Sequence, residues 1–186
     1  MNDDDLEQLR RDVQELKDRA AILDVVNRHA RGCDRHDEEL LRSTYHPDGV
    51  DEHGVARNEG PAFPSFINAV HAATSQAHTH NITTHTCEID GDTAHAESYV
   101  LVALLAPDGE STTVMSGRYL DRLERRDGQW RISARRSTVD LVLSGSAALL
   151  QHRGFQSQSY PRGARDRQDP SYARPLDLDA APGPVW

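Results

Sequence analysis

Residues 79–143 read THNITTHTCEIDGDTAHAESYVLVALLAPDGESTTVMSGRYLDRLERRDGQWRISARRSTVDLVL. Apolar and polar residues alternate through it with a period of two, the spacing of strands with one face buried. Three Asp-Gly pairs punctuate the alternation: Asp90-Gly91, Asp108-Gly109 and Asp127-Gly128. Asp-Gly tolerates the positive φ of a tight hairpin turn, so each pair marks a chain reversal. The pattern predicts four strands, Thr79–Ile89, Thr93–Ala106, Ser111–Arg125 and Gln129–Leu143, in an antiparallel meander. Ile82 and Ile89 fall on opposite parities, which predicts a bulge in the first strand.

Upstream the period changes. Leu6, Leu9, Val13, Leu16, Ala20 and Leu23 recur every three or four residues, and the pattern runs on through Ile22, Val25, Val26 and His29 to a break at Gly32. That is one helix, with a highly charged first half suited to the surface or a neighbouring subunit and a more apolar second half suited to the core. Asp37–Tyr45 reads as a short helix ended by a His46-Pro47-Asp48-Gly49 turn, with a loop following to Gly60. From Pro61, Phe63, Phe66, Ile67, Val70 and Ala73 give a further helical face. Helices followed by a meander define an α+β domain. Residues 1–14 read as a charged helical extension and 15–145 as the domain. Residues 146–186, rich in Arg, Asp, Pro and Gly, read as a tail wrapping over the domain or a neighbour.

The 186 residues suffice for one domain with a real core. The net charge of −9 repels phosphate backbones and anionic lipid, which argues against a nucleic-acid or membrane partner. No apolar run approaches a membrane span, and the acidic start Met1–Asp5 has no apolar segment behind it, as expected of a cytoplasmic chain without a signal peptide. Cys33 and Cys87 make no disulfide framework.

Ten histidines are the anomaly of the composition. His78 and His80 share one face of a strand, a spacing that can bind a metal, but no HExxH pairing and no placed carboxylate completes a site, so no metal is expected. Asp34 stands where the first helix ends. There it either caps the next helix or, partly desolvated, acts as a base or orients one. His80 stands where helix gives way to sheet, an imidazole suited to proton transfer if it faces inward beside a carboxylate, or a surface residue if it does not. Of Arg135 and Arg136, successive strand residues, one faces inward, where a guanidinium would bind an anionic or oxyanionic group, or the two are an exposed pair on an edge strand. His29 borders the same region or is a half-buried helix residue. Cys33 reads as a small buried residue rather than a nucleophile. There is no GxGxxG after a strand, no P-loop and no GxSxG elbow.

The order of Arg31-Gly-Cys-Asp-Arg-His-Asp37, His46-Pro-Asp-Gly49 and His80-X4-His85-Thr-Cys-Glu-Ile-Asp-Gly-Asp-Thr-Ala94 resembles the SnoaL-like branch of the nuclear-transport-factor-two superfamily. Gly117-Arg118-Tyr119-Leu120-Asp121-Arg122-Leu123-Glu124-Arg125, Asp127-Gly128-Gln129-Trp130-Arg131-Ile132, Asp169-Pro170-Ser171-Tyr172 and Arg174-Pro175-Leu176 extend the resemblance over about residues 15–178. That branch includes scytalone dehydratase, bile-acid 7α-dehydratase and hexachlorocyclohexane dehydrochlorinase. The resemblance implies a cone of curved antiparallel sheet closed by N-terminal helices, a deep apolar pocket and a homo-oligomer, often a trimer. It also implies an Asp–His pair that works without a cofactor, falling on Asp34 and His80, with His29 at the polar helix position and Arg135 at the strand arginine. Thr84 replaces a frequent Asn, and Ala103 stands near where the bile-acid enzyme has an assisting carboxylate.

The expected function is a cofactor-independent lyase, a dehydratase of a small, hydrophobic, cyclic or polycyclic molecule. His80 is the base, Asp34 holds its tautomer, and Arg135 or His29 assists the departing oxygen. Tyr45, Phe63, Phe66, Tyr99, Met115 and Tyr119 are candidate pocket residues. Isomerisation or polyketide cyclisation by the same pair is one alternative. A non-catalytic binding or scaffold subunit, as beside ring-hydroxylating dioxygenases, is another.

Overall fold

The structure, a computed structural model, describes residues 2–181 and 183–186. Helix α1 (Asp3–Asp34) opens with a capping box in which Asn2 and Asp5 bond each other's backbone N–H groups. The expected break at Gly32 does not occur, because the helix closes later, through Arg35 and His36. Asp37 N–H reaches the Gly32 carbonyl at 3.0 Å and His36 N–H the Cys33 carbonyl at 3.3 Å. This is a Schellman ending with His36 in the left-handed region (φ 48°), where glycine is usual. Gly32 is instead a contact residue: a Cβ there would come within 2.9 Å of the Leu41 Cβ, so glycine lets α2 (Glu38–Arg42) lie against α1.

Leu9, Val13 and Leu16 are exposed, whereas Ile22, Val25, Val26, His29 and Cys33 are buried against the sheet. Asp18 pins the middle of α1 to the far end of the meander. Its carboxylate accepts two bonds from Arg125 Nη1 (2.9 and 2.8 Å) and one from Trp130 Nε1 (2.8 Å).

The expected turn at residues 46–49 lies inside a strand, β1 (Tyr45–His53), and the expected loop is a hairpin with β2 (Ala56–Glu59). Strand β1 pairs in parallel with β6, with an irregularity between Tyr45 and Val50 where Pro47 and Gly49 sit. Helix α3 (Phe63–Thr74) begins with Pro64 in its first turn and buries Phe63, Ile67 and His71.

The meander follows as β3 (Ala77–Asp90), β4 (Thr93–Leu105), β5 (Ser111–Arg126) and β6 (Gln129–Ser146). The register of β3 on β4 shifts between Ile82 and His85, the bulge that the parity of Ile82 and Ile89 anticipates. At the last reversal Asp127 and Gly128 both have positive φ (51° and 73°), the geometry of a two-residue type I′ hairpin. The six strands run in the order β2-β1-β6-β5-β4-β3. All neighbours are antiparallel except β1 and β6, so the sheet is mixed rather than wholly antiparallel. It is curved and unclosed, with α1 packed on it, the cone of an α+β fold.

Beyond β6 lie two short helices, α4 (Ala148–Gln151) and α5 (Arg153–Gln156), and a 3-10 turn at Pro170–Tyr172. The chain then returns to the end of α1: Tyr172 donates to Asp37 (2.9 Å), Arg31 donates to Ser171 (3.1 Å), and Arg35 lies 3.1 Å from Asp169. No helix among the described residues is long and apolar enough to cross a membrane.

Candidate active site

The C-terminus of α1 and the start of β3 meet at Asp34 and His80. Nδ1 of His80 lies 2.7 Å from Asp34 Oδ1, and the His80 backbone N–H donates to both carboxylate oxygens at 3.0 Å. A carboxylate that accepts from the backbone also accepts from the ring, so Nδ1 carries the proton and Nε2 the lone pair. Both side chains are largely withdrawn from solvent, Asp34 at 13% and His80 at 6% exposure. The cap of α2 is Asp37, whose Oδ1 accepts from Leu40 N–H, which leaves Asp34 to the histidine.

His80 faces a cavity of about 290 Å³, lined on the sheet by Val100, Val102, Met115, Tyr119 and Val139 and at its edges by His53 and His71. Of the expected pocket residues, Met115 and Tyr119 line it. Tyr45 and Phe63 belong to the packed core, and Phe66 rests against that core. Tyr99 is on the exposed surface, 5.9 Å under the Arg118 guanidinium. A larger groove, about 540 Å³, crosses β1, β6 and β5 and includes Glu52, Arg57 and Arg122, but the Asp–His pair is not there.

His29 is fully buried behind the cavity, with ring centroids 5.6 Å from Phe63, 5.7 Å from Tyr45 and 5.6 Å from Tyr119. Burial, and then the Arg135 charge, hold its pKa well below the usual histidine value. Its neutrality has a consequence for stability. Below about pH 6.5 the unfolded chain protonates His29 while the folded chain does not, so the folded state loses stability as pH falls. Urea denaturation at successive pH values checks this: His29→Leu should flatten the acid side of the stability profile, and an unchanged slope would contradict the assignment.

Arg135 does turn inward, and Arg136 faces solvent beside Glu52. Arg135 is completely buried and holds Asp121 through two bonds, Nε at 2.7 Å and Nη2 at 2.6 Å, while its guanidinium carbon lies 4.0 Å over the Tyr119 ring. Burial is the largest single influence and works against its charge, but Asp121 together with the neighbouring Tyr45 and Tyr119 keeps its pKa above the ordinary value. Arg135 and His29 thus stand behind Tyr119 rather than beside His80. Cys33 is buried and its thiol pKa pushed up by desolvation, which removes it as a nucleophile.

His71 is a site residue that was not among those expected from the sequence. Its position four residues after Ile67 and eight after Phe63, on the buried stripe of α3, is the signal that could have found it. His78 and His80 share a face, as their spacing requires, and a carboxylate does stand beside them: Asp34, His78 and His80 each offer a ligand atom within 4.8 Å of the others. A second such group is His36, His71 and His78.

Residues 14–136 match the SnoaL-like domain family. The chain belongs to that family. Among solved structures, the SnoaL-like chain is similar to LinA, with 25% identity, a TM-score of 0.66, and coverage of 70% of this chain and 91% of LinA. It is also similar to the LinA-type3 hexachlorocyclohexane dehydrochlorinase of Novosphingobium barchaimii LL02 (24% identity, TM-score 0.67, coverage 72% and 94%). Rv3472 of Mycobacterium tuberculosis, a protein of unknown function, shares 28% identity with a TM-score of 0.61, over 68% of this chain and 74% of that one. No curated protein matches the chain. The SnoaL-like match ends at Arg136, so the chain from Ser137 onward, including the segment that returns to α1, lies outside it.

Proposed function

We propose that the chain is a cofactor-independent lyase that removes water from a small cyclic or polycyclic substrate, with His80 as the base. The observation that carries this reading is the 2.7 Å contact of His80 Nδ1 with Asp34, beside an apolar cavity. His80 Nε2 takes a proton from a carbon next to a carbonyl, the C–H pair becomes the new double bond, and the C–O bond breaks. The proton returns to the departing oxygen, which leaves as water and restores His80. Asp34 stabilises the imidazolium between these steps. Tyr119, kept protonated by burial, can donate a hydrogen bond to the substrate oxygen. Arg135 and His29 act through Tyr119, by polarising and positioning it. LinA-type3, a dehydrochlorinase by name, is an eliminating enzyme of the same fold, which supports elimination over other outcomes.

The test is a panel of cyclic β-hydroxy ketones, followed by ultraviolet absorbance of the conjugated product and by mass. Loss of water supports the proposal. Exchange of the α-proton with solvent deuterium without loss of water assigns an isomerase instead, and no exchange with any member of the panel would falsify base catalysis by His80.

The same reading includes a homo-oligomer. Val139, Leu141, Val142 and Leu143 at the end of β6 are each more than half exposed. Val139 and Val142 stand on the cavity face, by their pairing with Gly117 and Met115, and Leu141 and Leu143 on the opposite face, apolar surface that a second copy would cover. Sedimentation of a monomer at all concentrations would contradict it.

A further inference from the structure

We propose that His36, His71 and His78 form a binding site for a divalent transition-metal ion such as Zn²⁺, held closed in the metal-free chain by Arg165. The three rings come from separate elements: His36 from the ending of α1, His71 from α3 and His78 from β3. One nitrogen from each lies within 4.8 Å of the others, and the ring centroids are 4.0 Å (His71–His78), 5.6 Å (His36–His78) and 6.3 Å (His36–His71) apart. A tetrahedral ion with bonds of ~2.0–2.1 Å sets its ligand nitrogens about 3.4 Å apart, so small ring movements close the site. Imidazole suits Zn²⁺ and its neighbours in the first row.

Two of these rings leave a buried nitrogen without a hydrogen bond. His36 Nε2 and His71 Nδ1 have no partner, and His71 is 7% exposed. Buried polar atoms are nearly always satisfied, so two such atoms within one cluster of rings call for a ligand. The third ring is different. His78 Nε2 lies 3.0 Å from the Cys33 carbonyl, which can only accept, so Nε2 carries the proton and Nδ1 the lone pair. That lone pair accepts from Arg165 Nη2 at 2.8 Å. A cation thus already occupies the third corner of the cluster, anchored by bonds to Ser75 O (2.8 Å), Ser75 Oγ (2.6 Å) and His71 O (3.3 Å). Burial lowers the pKa of all three histidines, to about 2 for His71 and about 4 for His78, so the rings are neutral and ligand-ready near neutral pH. Metal and Arg165 therefore compete for one lone pair, and metal binding would release the segment around Arg165 from α3 and β3.

Titration of the tag-free full chain with Co²⁺, read by its visible absorption bands, and with Zn²⁺ by calorimetry tests this directly. Neither readout depends on turnover, so the result stands apart from the lyase proposal. His36→Asn, which tolerates the positive φ, and His71→Gln should each weaken binding by about tenfold or more. Arg165→Met should tighten it, while His80→Ala should leave it unchanged. Circular dichroism confirms folding, and if His71→Gln does not fold, His36→Asn and Arg165→Met carry the test. Binding unaffected by His36→Asn would place the ion on other histidines and overturn the proposal. Loss of binding in His80→Ala would move the ion to the Asp34–His80 pair and overturn the proposal as well. No saturable binding even by Arg165→Met also overturns it.

Discussion

His80→Ala is expected to lower turnover by about 10²–10⁴-fold, the usual share of a positioned general base, with little change in stability. Asp34→Asn should cost a comparable factor for a different reason. The carboxylate accepts three hydrogen bonds from His80, two from its backbone N–H and one from its ring. An amide of the same shape still accepts from the backbone, so the start of β3 keeps its place. It loses the charge that favours the imidazolium, and its NH₂ group competes to reverse the ring tautomer. The loss should appear in kcat with KM nearly unchanged, while the urea midpoint stays near that of the parent chain. Full activity in either variant, once a substrate is identified, removes this pair from the mechanism.

The largest stability effect should come from the pair behind the cavity. Asp121 and Arg135 have no exposed side-chain surface and meet through two parallel bonds. Asp121→Ala leaves a guanidinium in the core without its carboxylate partner, and removing one partner of such a pair costs about 3–5 kcal/mol. That is a large part of the ~5–15 kcal/mol by which a domain of this size is stable, so the variant should unfold at much lower urea. The double variant Asp121→Leu/Arg135→Met removes both charges and should recover most of the loss, since the desolvation of each ion disappears with it. If the double variant is as unstable as the single one, packing rather than charge governs this region.

The meander was legible in the sequence because its signals are local. Each Asp-Gly pair fixes a turn within a few residues, and the expected Ser111–Arg125 strand differs from the observed Ser111–Arg126 by one residue. Strand β1 was not legible for the opposite reason. Pro47 and Gly49 are turn residues by intrinsic preference, and only the distant edge of β6 draws them into a strand. At the site, strand alternation requires that one of Arg135 and Arg136 face inward and the family resemblance singles out Arg135, but neither gives its partner. Asp121 is its register neighbour across β5 and β6, a relation visible only once the strands are paired. Asp34 and His80 were linked by family resemblance, since nothing local brings residues 46 positions apart to 2.7 Å. His71 was hidden because a histidine on an apolar stripe reads as core until the rings facing it are known.

The parallel pairing of β1 with β6 also bears on how the chain reaches its folded state. His53 on β1 meets Ser137 on β6 across 84 residues of sequence, whereas the three later hairpins close between near neighbours. Loop-closure entropy puts such a distant contact late, after the local reversals have formed. The hairpins then act as the nucleus, and weakening β1 should speed unfolding while leaving the refolding rate almost unaltered. The wall of the cavity that carries His53 is therefore the last part of the molecule to assemble and the first to come apart.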